Sequence, residues 1–223
     1  MGLSLENTPL MPQITHIIWD WNGTLLDDTR ACVNAINSML GVRGLPRLSV
    51  EQYRACFGFP VSDFYRKIGF VLEDEDWDAM ARDFHAKFLA DSSMALHTQT
   101  RLVLEQINLR GMTQWILSAS EQSILDLMLQ EYELTDYFQR AMGVNNLYGN
   151  SKISIGRSMI AMAEVPHAEI LLIGDSLHDY EVAQDLDIAC ALIAQGHQSF
   201  DRLLTCGAPV LRSLSEVPGF IGV

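Results

Sequence analysis

His16-Ile17-Ile18-Trp19-Asp20-Trp21-Asn22-Gly23-Thr24-Leu25-Leu26-Asp27-Asp28 is the stretch that decides the fold. A short apolar run stops at a carboxylate, and a Gly-Thr turn follows. A strand buried on both faces reads as such a continuous apolar run, bounded by turn residues. In open α/β sheets, ligands meet the chain at the carboxyl ends of the strands. Asp20 therefore stands where a carboxylate meets a ligand. Asn22 stands two residues on, where a second carboxylate would be useful.

Outward from this strand (residues 15–20), the pattern turns helical. Cys32, Val33, Ile36, Met39 and Leu40 share one helical face, with Gly41 as its expected stop. Ser49 and Gln52 match a capping box for a second helix, and Phe57-Gly58-Phe59-Pro60 breaks it. The acidic run Glu73-Asp74-Glu75-Asp76 suits a solvated helix start before Trp77, Met80, Ala81, Phe84 and Phe88. No strand is expected between residues 29 and 96. Beyond 97 the pattern alternates. A helix over 98–110 ends at Gly111, and Trp115-Ile116-Leu117-Ser118 is a strand ending in a hydroxyl. Ser120 is expected to cap the next helix. Ala141-Met142-Gly143-Val144 and Ile170-Leu171-Leu172-Ile173 are further strands, the latter ending at Gly174-Asp175, and a last one spans 189–194. Alternating strands and helices give a parallel sheet covered on both faces. The expected fold is α/β, a doubly wound, Rossmann-like parallel sheet. Its core is built from residues 1–28 and 97–223, with an all-helical cap, 29–96, inserted after the first strand.

Composition narrows the partners. The 223 residues are 48% hydrophobic and 19% charged, an ordinary globular balance. Fifteen basic against 28 acidic residues leave a net charge of −13, which repels a nucleic-acid backbone. No apolar run approaches the length of a membrane span. Residues 1–13 lack the basic start and apolar core of a secretory signal, and Met1-Gly2 is not followed by the Ser or Thr of a myristoylation site, because Glu6 stands there. Cys32, Cys56, Cys190 and Cys206 are widely spaced, as expected of reduced thiols. A cytoplasmic monomer or homodimer, without nucleic acid or membrane, is the expectation.

The chemistry follows from residue types at the strand ends. Asp20, Ser118, Asp175 with Asp179, and Lys152 converge on one rim if the sheet is parallel. Two like charges 4 Å apart repel by about 4 kcal/mol at an effective dielectric near 20. Three carboxylates therefore need a cation or protons. A hard ion with oxygen ligands fits, and Mg²⁺ is the natural one. Lys152, the Ser118 hydroxyl and backbone N–H groups around Gly23 add what an anion needs. One carboxylate amid a cation, an ammonium and several donors makes a phosphoryl site, where an aspartyl-phosphate can form and be cleaved by water.

Asp-Trp-Asn-Gly-Thr-Leu, Ser118, Lys152 and Gly174-Asp175-Ser176-Leu177-His178-Asp179 together resemble the four motifs of the haloacid dehalogenase superfamily, in order and spacing, over residues 14 to about 217. The helical insertion resembles the cap of the phosphoglycolate phosphatase-like branch. The resemblance implies that Asp20 is the nucleophile and that Ser118 and Lys152 bind phosphate. It implies Mg²⁺ held by Asp20, the backbone carbonyl of Asn22, and Asp175, with Asp179 close by or acting through water. Gly23, Thr24 and Ala119 would border the substrate. Gly58-Phe59-Pro60 resembles the cap's specificity loop, and Arg54 is placed to reach a substrate carboxylate.

One position departs from the pattern. Phosphatases of this kind carry Asp where this chain has Asn22, and an amide neither protonates a leaving oxygen nor activates water. Such help is worth about 10²–10⁴-fold. Three readings stay open: a substrate with a good leaving group, a proton from His178 or His97, or a catalytically weak or inactive protein that binds a phosphate ligand. A phosphomutase would need the same missing group, and a dehalogenase needs no cation. Asp27 and Asp28 are expected to cap the following helix, and His85, His167 and His197 carry no pattern.

Overall fold

The computed structural model describes residues 13–148 and 151–222. Met1, Gly2, Glu6 and Asn150 lie outside the described residues. Strand β1 is His16–Trp19, and β2 is the two-residue Leu26–Asp27. Four helices follow: α1 (Thr29–Val42), α2 (Val50–Cys56), α3 (Val61–Lys67) and α4 (Trp77–Leu89). Then come β3 (Ala95–Leu96), α5 (Thr100–Leu109), β4 (Thr113–Glu121), α6 (Gln122–Glu131) and β5 (Arg140–Val144). The chain continues with α7 (Ile153–Ala161), β6 (Ile170–Gly174), α8 (Leu177–Asp185), β7 (Ala189–Ile193), α9 (Phe200–Leu203), β8 (Val210–Leu211) and α10 (Val217–Phe220).

Six strands form one parallel sheet in the order β5-β4-β1-β6-β7-β8. β1 is central, with Ile17 between Gln114 of β4 and Leu171 of β6. Its side chains alternate between the two faces, as the pleat requires. Ile17 and Trp19 enter a core with α1, α5 and α6, whereas Ile18 joins a second core with α7 and α8. Each such side chain contributes about 1.5–3 kcal/mol by leaving water. That two-sided demand is why His16–Trp19 reads as an unbroken apolar run. The doubly wound α/β fold is thus present.

Local details differ from the pattern in three places. Residues 26–27 and 95–96 pair as a two-residue antiparallel ribbon, Leu26 opposite Leu96. So the stretch 29–96 is not strand-free, but two residues are too few to leave a periodic signal. Helix α1 runs through Gly41. The left-handed residue beyond its end is Gly44, at φ +66°. Ser120 does not cap α6. Glu121 does, its carboxylate accepting from the N–H groups of Ser123 and Ile124. The capping box of α2 is formed as expected, by Ser49 and Gln52.

Candidate active site

The parallel sheet carries the chemical residues to one rim. Asp20 follows β1, and Asp175 follows β6, whose neighbour in the sheet is β1. Asp179 sits in the first turn of α8, and Lys152 immediately precedes α7. All four are buried. The Lys152 ammonium bridges two of the acids, 2.5 Å from Asp20 Oδ1 and 2.7 Å from Asp179 Oδ1, and also donates to the Leu117 carbonyl at 2.9 Å. Thr24 Oγ1 donates to Asp20 Oδ2 at 3.1 Å and lies 3.4 Å from Asp175 Oδ1. Asp179 Oδ2 accepts from the Ser176 hydroxyl (2.6 Å) and from the N–H groups of Ser176 and Asp175. Both Asp179 oxygens are thus engaged by the chain. Ser118 is buried within β4, its Oγ accepting from the Ser120 N–H at 3.0 Å.

Two glycines make the acids' close approach possible. Gly23 adopts φ +78°, and a Cβ there would collide with Asp175 and His197. A Cβ on Gly196 would strike Asp175 Oδ2 and the Gly23 carbonyl. Backbone from two loops therefore closes around one carboxylate, which accepts the His197 N–H at 2.5 Å.

The electrostatics are those of crowded, dry charge. Burial pushes the Asp20 carboxyl up to about 6, against the opposing pull of Lys152. Burial raises Asp175 to about 8, with the His197 charge working the other way and Asp20 and Asp179 adding to the rise. Burial would also raise Asp179, but Lys152 and the Ser176 hydroxyl hold it below the usual carboxylate range. Burial would lower the Lys152 ammonium, yet Asp179 and Asp20 keep it above its ordinary value.

A divalent cation fits this arrangement. Asp20, Asp175 and Asp179 each offer a carboxylate oxygen, all within 4.8 Å of one another. With Asp28, four buried carboxylates face two buried cations, Lys152 and His197. A divalent cation would offset the burial and mutual repulsion that raise Asp20 and Asp175, and hard oxygen donors are what Mg²⁺ takes.

Asn22 does not stand alone. Its Nδ2 donates to Asp28 Oδ2 at 2.8 Å, and its Oδ1 accepts from the Ser120 hydroxyl at 2.6 Å. Asp28 Oδ1 accepts the Gly23 N–H at 2.9 Å and lies 3.1 Å from His197 Nε2. Asp28 stands at the N-cap position of α1 but makes no side-chain cap there, because its carboxylate is spent on this network. Asp27 does not cap α1 either, since it lies in β2 with its side chain outward. Burial would lower the pKa of His197, yet Asp28 and Asp175 push it up to about 9. Its other nitrogen, Nδ1, is 3.0 Å from the Tyr53 hydroxyl. Burial would raise Asp28, but His197, Asn22 and the Gly23 N–H hold it low. Cys32 approaches the same carboxylate at 3.7 Å, so this Asp-Cys-His group is internally hydrogen-bonded. Asn22→Asp alone would set two carboxylates face to face. It is expected to cost about 2–4 kcal/mol, lowering Tm by roughly 5–15 °C at this chain length. The exchanged pair, Asn22→Asp with Asp28→Asn, is expected to recover at least half of that loss in thermal denaturation.

Above the acids lies a chamber of about 160 Å³, lined from the rim by Asp20, Asn22, Ala119, Ser120, Lys152, Asp175 and His178. Its other walls come from α1, α2, α3, α4 and α6, the loop that carries Phe57 and Phe59, and Leu147 and Tyr148. Phe59 stacks on His178 with ring centroids 4.4 Å apart. His178 Nδ1 is 3.2 Å from Glu181, and its buried Nε2 has no hydrogen-bond partner. His97 is outside the chamber, its Nε2 donating to the Gly23 carbonyl at 3.1 Å. Arg54 is not among the lining residues. Its guanidinium donates to the carbonyls of Gly196 (2.7 Å) and Gln195 (2.6 Å), clasping α2 to the loop after β7. Gln198 and Arg202 donate to the Phe57 carbonyl and complete the clasp. His197 escaped the sequence reading. The only signal was its place just beyond β7, on the same rim as Asp20 and Asp175.

Residues 17–193 match the haloacid dehalogenase-like hydrolase family. The chain is 24% identical over 214 residues to a phosphoglycolate phosphatase of Rhodobacter capsulatus, covering 92% of this chain and 95% of that one. It is 21% identical over 192 residues to a phosphoglycolate phosphatase of Pseudomonas syringae pv. tomato, covering 81% and 70%. Its fold is that of a haloacid dehalogenase-like family hydrolase from Streptococcus pneumoniae, with a TM-score of 0.80 at 19% identity, over 94% of this chain and 99% of that one.

Proposed function

Because the chain belongs to the haloacid dehalogenase-like hydrolase family, we propose that it is a Mg²⁺-dependent phosphomonoesterase that passes the phosphoryl group through Asp20. The observation that carries this reading is the Lys152 ammonium lying between Asp20 and Asp179, with Asp175 beside them, at the floor of the chamber. One carboxylate held beside an ammonium, with two further acids close by, is what phosphoryl transfer through an aspartate needs. The phosphatase relatives support it.

In this reading an Asp20 oxygen attacks phosphorus in line with the ester oxygen. The new O–P bond forms as the ester P–O bond breaks, and the leaving oxygen takes the electron pair. Water then attacks the phosphorus of the aspartyl-phosphate, releasing phosphate and returning the Asp20 carboxylate. Lys152 and the Ser118 hydroxyl hold the phosphoryl oxygens, and the backbone N–H of Ala119 adds a donor, while the Gly23 N–H is taken by Asp28. Asp20, Asp175 and the Asn22 carbonyl would hold Mg²⁺, with Asp179 fixing Lys152 and the 175–176 turn behind them. The ion's contribution, when bound, is positive charge against the phosphoryl oxygens. Segment 29–96 acts as a cap over a core of 1–28 and 97–223, and its closure keeps bulk water from the site. The substrate is a small phosphorylated metabolite, and the four free thiols suit the cytoplasm. Among the described residues, no helix is long and apolar enough to cross a membrane.

The test is phosphate release from p-nitrophenyl phosphate. Mg²⁺-dependent turnover is expected, falling to background with EDTA and returning with excess Mg²⁺. Acid quenching during turnover is expected to trap a hydroxylamine-sensitive phosphoprotein. The commitment of both Asn22 amide atoms to Asp28 and Ser120 favours one rival, a phosphate-ligand binding protein without turnover. That rival is the outcome if ligand binds and no phosphate is released.

A further inference from the structure

We propose that the phosphate ester this site hydrolyses is a single-ring aryl phosphate, one whose leaving oxygen is attached directly to an aromatic ring. The proposal rests on the phosphatase reading above and specifies its substrate.

Two independent observations point the same way. The first is the chamber. Phe57, Phe59, Phe64, Trp77, Phe84 and Phe88 contribute to its walls. Its volume of about 160 Å³ includes the floor of Asp20, Lys152 and Asp175 where the phosphoryl group would sit, so a leaving group larger than one ring (~150 Å³ takes a benzene) has no room. A small organic acid would need a cation to meet its carboxylate, in place of the water it leaves. No arginine lines the chamber, and Arg54 is bound to the Gly196 and Gln195 carbonyls. Lys152 is committed to Asp20 and Asp179, and His197 lies against Asp28. His85 turns Nδ1 to the Ala81 carbonyl at 2.8 Å, and burial lowers its pKa from the ordinary value. Apart from His178, whose Nε2 has no partner, the upper walls offer mainly aromatic faces, which receive an apolar ring.

The second observation is Asn22. It has no proton to give at carboxylic strength, and both ends of its amide are taken by Asp28 and Ser120. A leaving alkoxide, whose conjugate acid is as weak as water at about 15.7, depends on such a proton. A phenoxide, with a conjugate acid near 10 as in tyrosine, leaves without one. The second step, attack of water on the aspartyl-phosphate, also lacks the base that Asn22 cannot be, but it is the same for every ester, so the ester's identity bears on the first step alone. A site that has lost its proton donor keeps its rate only on esters of acidic alcohols. Phenols are such alcohols, and the aromatic walls of the chamber suit a single ring.

The test compares kcat/KM of the wild-type protein with Mg²⁺ for phenyl phosphate, benzyl phosphate and phosphoglycolate. Benzyl phosphate carries the same ring on an aliphatic oxygen, and so separates binding from departure. Phenyl phosphate is expected to exceed benzyl phosphate by ~10²-fold or more, the scale of the missing acid–base help. Benzyl phosphate is expected to inhibit competitively at concentrations close to the KM of phenyl phosphate. Phosphoglycolate is expected to be at least ~10²-fold poorer than phenyl phosphate and to inhibit weakly. Equal kcat/KM for phenyl and benzyl phosphate, or a preference for phosphoglycolate, overturns the proposal while leaving the phosphatase reading intact. Absence of metal-dependent phosphate release from all three esters overturns both.

Discussion

Asp20→Asn is expected to lower kcat/KM on p-nitrophenyl phosphate by at least ~10⁴-fold, the scale on which loss of a covalent nucleophile acts. Its Tm is expected to stay within about 3 °C of the wild type. The two readouts separate because Asp20 serves chemistry at a cost to the fold. Its carboxyl is buried and raised to about 6 even beside an ammonium, so a neutral amide is easier to bury. With the amide oxygen turned to Lys152, its NH2 can donate to the Thr24 hydroxyl oxygen, and Lys152 keeps Asp179 as its counter-charge. Steady-state assays with thermal denaturation check both. Retention of more than about 1% of activity would exclude Asp20 as the attacking group, since an amide cannot form the acyl phosphate. Loss of the trapped phosphoprotein in the same variant completes the assignment.

Lys152→Met is the change expected to damage the fold most. Removing one partner of a buried ion pair costs about 3–5 kcal/mol, because the opposite charge stays behind in a dry site. Here two partners stay behind, Asp20 and Asp179, with Asp175 close by. Tm is expected to fall by roughly 10–15 °C in EDTA. Mg²⁺ is expected to recover part of that loss, because a ligand that binds only the folded chain stabilises it by mass action. Activity is expected to fall about 10²–10³-fold even in saturating Mg²⁺, as when one fixed donor to a developing anion is removed. Lys152→Arg is not expected to rescue it, since a planar fork cannot occupy the point between Asp20, Asp179 and the Leu117 carbonyl. A Tm unchanged by Lys152→Met in EDTA would refute the counter-ion role.

The frame of the fold was legible because burial on two faces leaves no freedom in composition. Ile17, Ile18 and Trp19 must all be apolar, and the acids that follow β1 and β6 mark where the apolar demand ends. The helical character of 29–96 was legible from 3.6-residue spacing, and the ribbon of Leu26 and Leu96 was not, being too short to have a period. In the site, Asp20, Lys152, Asp175 and Asp179 were readable because each sits at a fixed offset from a strand or helix end. Asp28 and Ser120 read as helix caps, the commonest use of those residue types. Their real partners, Asn22 and His197, come from other loops, and such pairings leave no local trace. Arg54 faced the same difficulty: a basic residue near a predicted pocket looks like a ligand for an acid, whereas its actual acceptors are carbonyls some 140 positions away.

The central position of β1 carries a consequence for how the molecule is made. This strand is among the first described segments to leave the ribosome, yet its two neighbours are residues 113–116 and 170–173. At about 5–20 residues per second, roughly 10–30 seconds pass before both edges are covered. Throughout that interval a greasy, hydrogen-bond-hungry segment is available to strangers. The nascent chain therefore needs either shelter from a holdase or a provisional partner among the early helices, and synthesis rate becomes a determinant of yield.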